Sequence, residues 1–221
     1  MPSTKKKLPV KLASKTHFSK KEAIKNGFEI AKKNLIFFIG VFVVVVLVSL
    51  LSTAIQTAVT IEKQPLTGII IYILFWIVNI IISMGLIRIS LEFIDKKKPK
   101  FSDLFHTKSL VDFILATLIR GVITVIGFIL LIIPGIIFSI RLQFVTYLIV
   151  DKKMPAVDSI KKSWEMTRGN TWNLFFFGIL LCLINLLGVL LLLVGLFITI
   201  PLTMLATTFV YRKLLLQSKS A

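Results

Sequence analysis

The sequence is poor in negative charge. It carries 27 Lys and Arg against 10 Asp and Glu, a formal net charge of +17. Such an excess first points to nucleic acid. The N-terminal lysine tract, however, has almost no aromatic residues interleaved with it for base stacking, which argues against that partner. Cysteine is nearly absent. The lone Cys182 sits in an apolar run, which excludes an intramolecular disulfide and a cysteine-based metal site and leaves a small packing residue. Histidine is scarce: His17 and His106 stand apart, without a metal-ligand cluster. No H-E-x-x-H, G-x-S-x-G or Walker loop is present, and the apolar runs hold no paired carboxylates for acid–base work. The expectation is a non-enzymatic protein with no catalytic residue, no metal and no cofactor.

What is abundant is apolar length. Hydrophobic residues make up 56% of the 221 positions, and mean hydropathy is +0.92. They come in runs of roughly twenty, the length that crosses about 30 Å of hydrocarbon. The basic residues fall between these runs. Ten lysines precede the first run, five lie between Leu91 and Leu110, four lysines and one arginine between Asp151 and Thr171, and three basic residues follow Tyr211. An even number of crossings between clusters puts them all on one face, the positive-inside pattern. The expected architecture is all-α: an integral membrane bundle of six transmembrane helices, both termini cytoplasmic, multi-pass in the cell membrane. No cleavable signal peptide is expected, because the first apolar run begins only near Asn34.

In chain order, residues 1–18 read as a basic cytoplasmic tail. Residues 19–214 read as one membrane domain and residues 215–221 as a short cytoplasmic tail. Ser19 and Glu22 have capping-box spacing. Ile24, Phe28, Ala31 and Leu35 then recur at helical spacing opposite lysines, as in a helix lying in the membrane interface; a cytoplasmic extension of the first crossing is the plainer alternative. Crossings are expected over 35–60, 66–93, 111–133, 136–150, 171–193 and 196–211. Glu62-Lys63-Gln64-Pro65 is the one charged loop on the far side. Pro134-Gly135 is the expected turn of the second hairpin, and Gly188 or, preferably, Gly195 that of the third. Phe101 to Leu110 reads as a short interfacial element.

The hairpins resemble one another. Ile24-Lys25 and Phe28-Glu29 match Ile160-Lys161 and Trp164-Glu165 at an offset of 136, as Lys32 and Asn34 match Arg168 and Asn170. Asp95-Lys96-Lys97 matches Asp151-Lys152-Lys153 at an offset of 56, and Gly135 matches Gly195 at an offset of 60. The unit is an interfacial helix, a crossing, a turn, a crossing and a basic knot, repeated three times.

The segment Ile133-Pro134-Gly135-Ile136-Ile137, with Arg141 following, and the helix end Ser163-Trp164-Glu165-Met166-Thr167-Arg168-Gly169-Asn170 carry a family likeness. Over about residues 100–215 the chain resembles the membrane domain found beside glycerophosphoryl diester phosphodiesterases, and related stand-alone prokaryotic membrane proteins. The resemblance implies a six-helix membrane domain. The phosphodiesterase barrel of the fused members is absent, so their activity does not carry over.

Arg120 and Arg141 are the sharpest candidate binding residues. A charge near the membrane centre costs at least ~2.5–3.5 kcal/mol, so it usually pairs or lines a polar cavity, and a guanidinium can hold a phosphate in a bidentate fork. The plainer alternative is snorkelling to the interface or bonding to carbonyls freed near Pro134. Trp164, Arg168, Gly169 and Asn170 close an amphipathic helix. Gly169 suits a left-handed C′ position, Arg168 the helix dipole, and Trp164 the head-group belt. With Lys161 and Lys162 they can also form an anionic head-group site. The expected role is to bind or organise anionic lipid or to scaffold a membrane partner, the partners being membrane lipids, especially anionic phospholipid, or a membrane protein. The alternative is a small transporter or channel for an anionic solute, with Arg120 and Arg141 as its binding residues.

Overall fold

Val43, Val44, Val45 and Val46 are poor helix formers in water, yet they lie in the middle of a helix. In lipid an unpaired backbone group costs several kcal/mol, about enough to override propensity. The computed structural model describes residues 18–58, 65–105, 107–191 and 194–218. The expected tail over residues 1–17, the loop Glu62–Gln64, both histidines and residues 219–221 lie outside these. Among the described residues the chain is helical throughout, without strands. The helices are α1 (Lys20–Lys33), α2 (Leu35–Ala58), α3 (Pro65–Ile94), α4 (Leu110–Leu130), α5 (Ile132–Arg141), α6 (Val145–Lys152), α7 (Ala156–Met166), α8 (Thr171–Leu190) and α9 (Leu196–Gln217), with a 3-10 turn at Phe101–Phe105.

Five stretches are long and apolar enough to cross a membrane: Leu35–Ala58, Leu66–Ile94, Leu110–Leu130, Ile132–Lys152 and Thr171–Leu190. The expected sixth, 196–211, falls in α9, which is not among them. The reason lies in its composition. Thr199, Thr203, Thr207, Thr208 and Pro201 dilute its apolar surface. Protein wraps this helix instead of lipid: Leu205, Ala206, Val210, Tyr211 and Leu214 are completely buried. Thr208 donates to the Met204 carbonyl at 2.9 Å and reaches the Ser90 hydroxyl at 2.8 Å.

Two local expectations need correction. The second hairpin reverses at Leu131, an extended residue with φ −167° and ψ 154°, and not at Pro134-Gly135. Those two residues stand in the first turn of α5, where proline's missing N–H is no loss. Gly135 there backs onto Gly127 of α4; a Cβ on Gly127 would lie 3.0 Å from the Gly135 Cα. The fourth crossing is not one helix over 136–150. It breaks at Leu142–Phe144 into α5 and α6, because α7 supplies a hydroxyl to the carbonyl that the break leaves free. The third hairpin turns between Leu190 and Gly195, and Gly195 backs onto Gly188 much as Gly135 backs onto Gly127.

α1 begins at the Ser19 cap, whose hydroxyl accepts from the Glu22 N–H at 3.3 Å. Its buried face is a ladder of small residues, Ala23, Gly27 and Ala31. Phe28 is 44% exposed. The small face lies on α9. A Cβ at Gly27 would come within 2.6 Å of the Leu202 carbonyl oxygen, so only glycine allows this approach. Glu22 pairs with Lys213 at 3.2 Å, so α1 and α9 run antiparallel.

The segments that hold the basic clusters meet at one end of the bundle. Arg212 of α9 bonds Asp95, just past α3, and Asp151, at the end of α6. The Tyr211 hydroxyl donates to Asp151 at 2.8 Å. Asp112 of α4 accepts from the Ala156 N–H at the start of α7 at 3.4 Å. Most fully buried side chains lie in α6, the C-terminal half of α9 and the end of α3. The α2, α4 and α8 faces remain largely exposed and apolar, as a lipid-facing surface requires.

Candidate anion site at the broken helix

The break after α5 positions the site. Once Leu142–Phe144 leave the helical path, the Arg141 carbonyl has no helical partner. Ser163 donates its hydroxyl to it at 2.7 Å, and the Thr167 hydroxyl lies 3.3 Å from it while donating to the Ser163 carbonyl at 2.8 Å. Both hydroxyl-bearing residues are completely buried, Ser163 on α7 and Thr167 at its C-terminal cap. A buried carbonyl left unpaired would cost about 1–3 kcal/mol, so the Ser163 bond both allows the break and fastens α7 to it.

The same docking brings Trp164 under the Arg141 side chain. The guanidinium carbon lies 4.0 Å from the indole centroid, a cation–π contact. The Phe138 ring packs against the indole at 5.7 Å, tilted by 53°. The Arg141 Nε is buried and has no hydrogen-bond partner. No carboxylate pairs with Arg141 among the described residues. Glu165, the residue after Trp164, pairs with Lys162 at 3.0 Å. Arg168 stands close enough for its charge to oppose that of Arg141.

Arg141 forms one end of a cleft of about 510 Å³ between α5 and α8. Ile133, Ile137 and Ile140 form one wall and Trp172 and Phe175 the other; Gly169 and Thr171 stand with Arg141 at the polar end. From Ile133 to Arg141 the cleft follows about 12 Å of helix. Gly169 takes φ +81°, a conformation that glycine adopts without strain. It turns the chain between α7 and α8, and Asn170 stands at the N-terminal cap position of α8.

The expected site residues do not all gather here. Arg141, Trp164 and Gly169 do, with Arg168 nearby. Lys161 and Lys162 do not line the cleft. Arg120 lies on α4 outside it, between Thr117 and Thr124, whose hydroxyls are buried without partners. No ion pair joins Arg120 or Arg141 to an acid among the described residues. Glu92 pairs with Arg88 at 3.2 Å, and Asp112 is used by the Ala156 N–H.

The periodicity did not single out Ser163, Thr167 or Arg212. Burial opposes the Arg212 charge, but the bonds and charges of Asp151 and Asp95 outweigh it and raise its pKa. The offset of 56 between Asp95 and Asp151 was the available signal, since it placed one acid at the head of each knot.

Relatives add family but no activity. An uncharacterised protein of Mycobacterium tuberculosis, Rv2560, is 29% identical over 160 residues, 71% of this chain and 49% of that protein. The uncharacterised Mb2590 of Mycobacterium bovis matches to the same extent. This chain therefore spans about half the length of the curated relatives it matches. No solved structure matches it. Nothing ties it to the glycerophosphoryl diester phosphodiesterase membrane domains that its motifs resemble. Residues 105–219, which hold α4 to α9, match the domain of unknown function DUF7847, and the chain belongs to that family.

Proposed function

We propose that this is a non-enzymatic, multi-pass protein of the cell membrane that binds and organises anionic phospholipid. The phosphate sits on Arg141, with Arg168 adding positive potential, and one acyl chain lies in the cleft between α5 and α8. The observation that carries this reading is Arg141 itself: a guanidinium held on Trp164, without a carboxylate partner, at the end of an apolar cleft. An anion that brings its own hydrocarbon fits both halves. In this reading α9 is a sixth crossing and both termini are cytoplasmic. The convergence of the basic segments at one end supports it.

The hairpins are copies of one unit in this reading. Ala23, Gly27 and Ala31 of α1 correspond, at the offset of 136, to Ser159 and Ser163 of α7 and its cap residue Thr167, and all six are buried. Each trio lies along an interfacial helix that docks onto a hairpin.

The test is retention of lipid. The protein is purified in mild detergent and bound lipid is identified by native mass spectrometry. Arg141→Leu should lose co-purified anionic phospholipid, and adding Arg120→Leu should not reduce it much further. Unchanged retention in the double variant, with the protein still monodisperse, overturns the assignment.

One observation favours a second reading, transport of an anionic solute. Discontinuous helices commonly form transporter sites, and the α5–α6 break adjoins Arg141. Liposomes containing the wild type should then pass an anion that the Arg141→Leu variant does not. A wild type inert to chloride, phosphate and carboxylates counts against this reading.

A further inference from the structure

A second concavity lies at the opposite hairpin, where α1 hands over to α2 and the chain leaves α3. It encloses about 330 Å³. Lys33 comes from the end of α1, and Lys96, Lys97 and Lys98 from the segment after α3. Phe37 and Phe93 form an apolar floor, their rings in edge contact at 5.4 Å.

No carboxylate lines this groove. The neighbouring acids are engaged elsewhere. Asp95 is gripped by Arg212, Glu92 pairs with Arg88, and Asp103 accepts from the Lys100 N–H at 2.7 Å. Glu29, one turn before Lys33, is exposed and makes no ion pair among the described residues. None of the four lysines pairs with an acid within the described structure. Four like charges around one hollow repel one another, and no carboxylate among the described residues forms an ion pair with them.

The backbone makes the arrangement more telling. Lys96 sits at φ 56°, in the left-handed region. Glycine or asparagine is the usual choice there. The Lys97 N–H donates to the Glu92 carbonyl at 2.8 Å, closing the helix end and aligning the next lysines. Helix C-termini do favour cations, but that effect needs no hollow and no aromatic floor.

We propose that this groove binds a phosphate-bearing polyanion with at least two phosphoryl groups. Separate ammonium groups act as point charges and suit several phosphate oxygens spread over a small volume, where one guanidinium fork would hold a single phosphate. The phosphoryl groups meet Lys33, Lys97 and Lys98, and whatever joins them rests on Phe37 and Phe93. This site is independent of the Arg141 cleft.

The experiment compares three proteins. Lys33→Gln/Lys97→Gln/Lys98→Gln removes three groove charges and leaves the left-handed Lys96 in place. Lys21→Gln/Lys25→Gln/Lys108→Gln removes three exposed charges outside the groove. Both, and the wild type, are titrated in detergent with inorganic pyrophosphate and, separately, in nanodiscs containing diphosphatidylglycerol. Wild type and control should bind at least one probe, with the groove variant at least tenfold weaker. Binding of the lipid alone assigns a lipid head group, and binding of pyrophosphate as well admits a soluble source. An equal loss in both variants means diffuse surface charge and overturns the proposal, as does a wild type that binds neither probe. Because all substituted lysines except those of the groove lie apart from it and none is buried, thermal unfolding should be unchanged across the three.

Discussion

Arg212 grips Asp95 with two nitrogens, Nε to Oδ1 at 3.1 Å and Nη2 to Oδ2 at 2.6 Å. Its remaining nitrogen reaches Asp151 at 2.5 Å. The two acids belong to segments 56 positions apart in sequence. One side chain of α9 thereby ties the end of α3 to the end of α6.

Removing one member of such a buried network strands the others. Arg212→Leu should destabilise the folded protein by about 3–5 kcal/mol, because two carboxylates lose their partner. Arg212→Lys should retain part of that, since an ammonium has no fork to span both acids. Thermal unfolding in detergent checks the order wild type, Lys, Leu.

The contact at Gly27 gives a sharper contrast. Gly27→Ala places a methyl 2.6 Å from the Leu202 carbonyl oxygen, so α1 must move off α9. A loss of about 1–3 kcal/mol is expected. Gly178→Ala on α8 meets nothing within 4 Å. It should be neutral or stabilise by up to about 1 kcal/mol through helix propensity. Equal effects from both would remove the close-approach argument.

Trp164 should matter to binding more than to folding. Trp164→Ala removes the ring beneath Arg141, and a cation–π contact contributes about 0.5–2 kcal/mol. Anionic lipid retention should fall several-fold, while Trp164→Phe keeps most of it. Ser163→Ala should instead lower stability by about 1 kcal/mol, with Thr167 left to serve the Arg141 carbonyl.

Membrane sidedness can be read with cysteines. Cys182 is the one native cysteine and is exposed. In a Cys182→Ala background, Leu131→Cys in intact cells should react with an impermeant maleimide, and Lys161→Cys should react only after lysis. Ser218→Cys should behave like Lys161→Cys if α9 crosses. If it instead labels with Leu131→Cys, α9 does not return the chain to the basic face.

Much of the helical plan was legible because lipid forces it. The apolar runs of α2, α3 and α8 are long and uniform, and their limits fall within a few residues of the expected crossings. The break at Leu142-Gln143-Phe144 was not legible, since those residues include neither proline nor glycine. Its cause is tertiary: the Ser163 hydroxyl lies 22 positions from the carbonyl it serves. The contact of α1 with α9 was not legible for a related reason. Periodicity weights Ile24 and Phe28 over Ala23 and Gly27, whereas a close helix pair selects smallness. Of the candidate site, Arg141 and Trp164 were recognisable as single residues. Their contact was not, because it depends on that break.

The antiparallel pairing of α1 with α9 has a consequence for how the protein is made. The Glu22–Lys213 pair closes 191 positions of chain. A ribosome releases α1 long before it makes α9, so the small face of Ala23, Gly27 and Ala31 has no mate during most of synthesis. Contacts of such long range form late. The hairpins must enter the bilayer first, and docking of the earliest helix on the last one becomes the closing event of biogenesis. Chains stalled before α9 would keep α1 undocked, a distinguishable target for quality control.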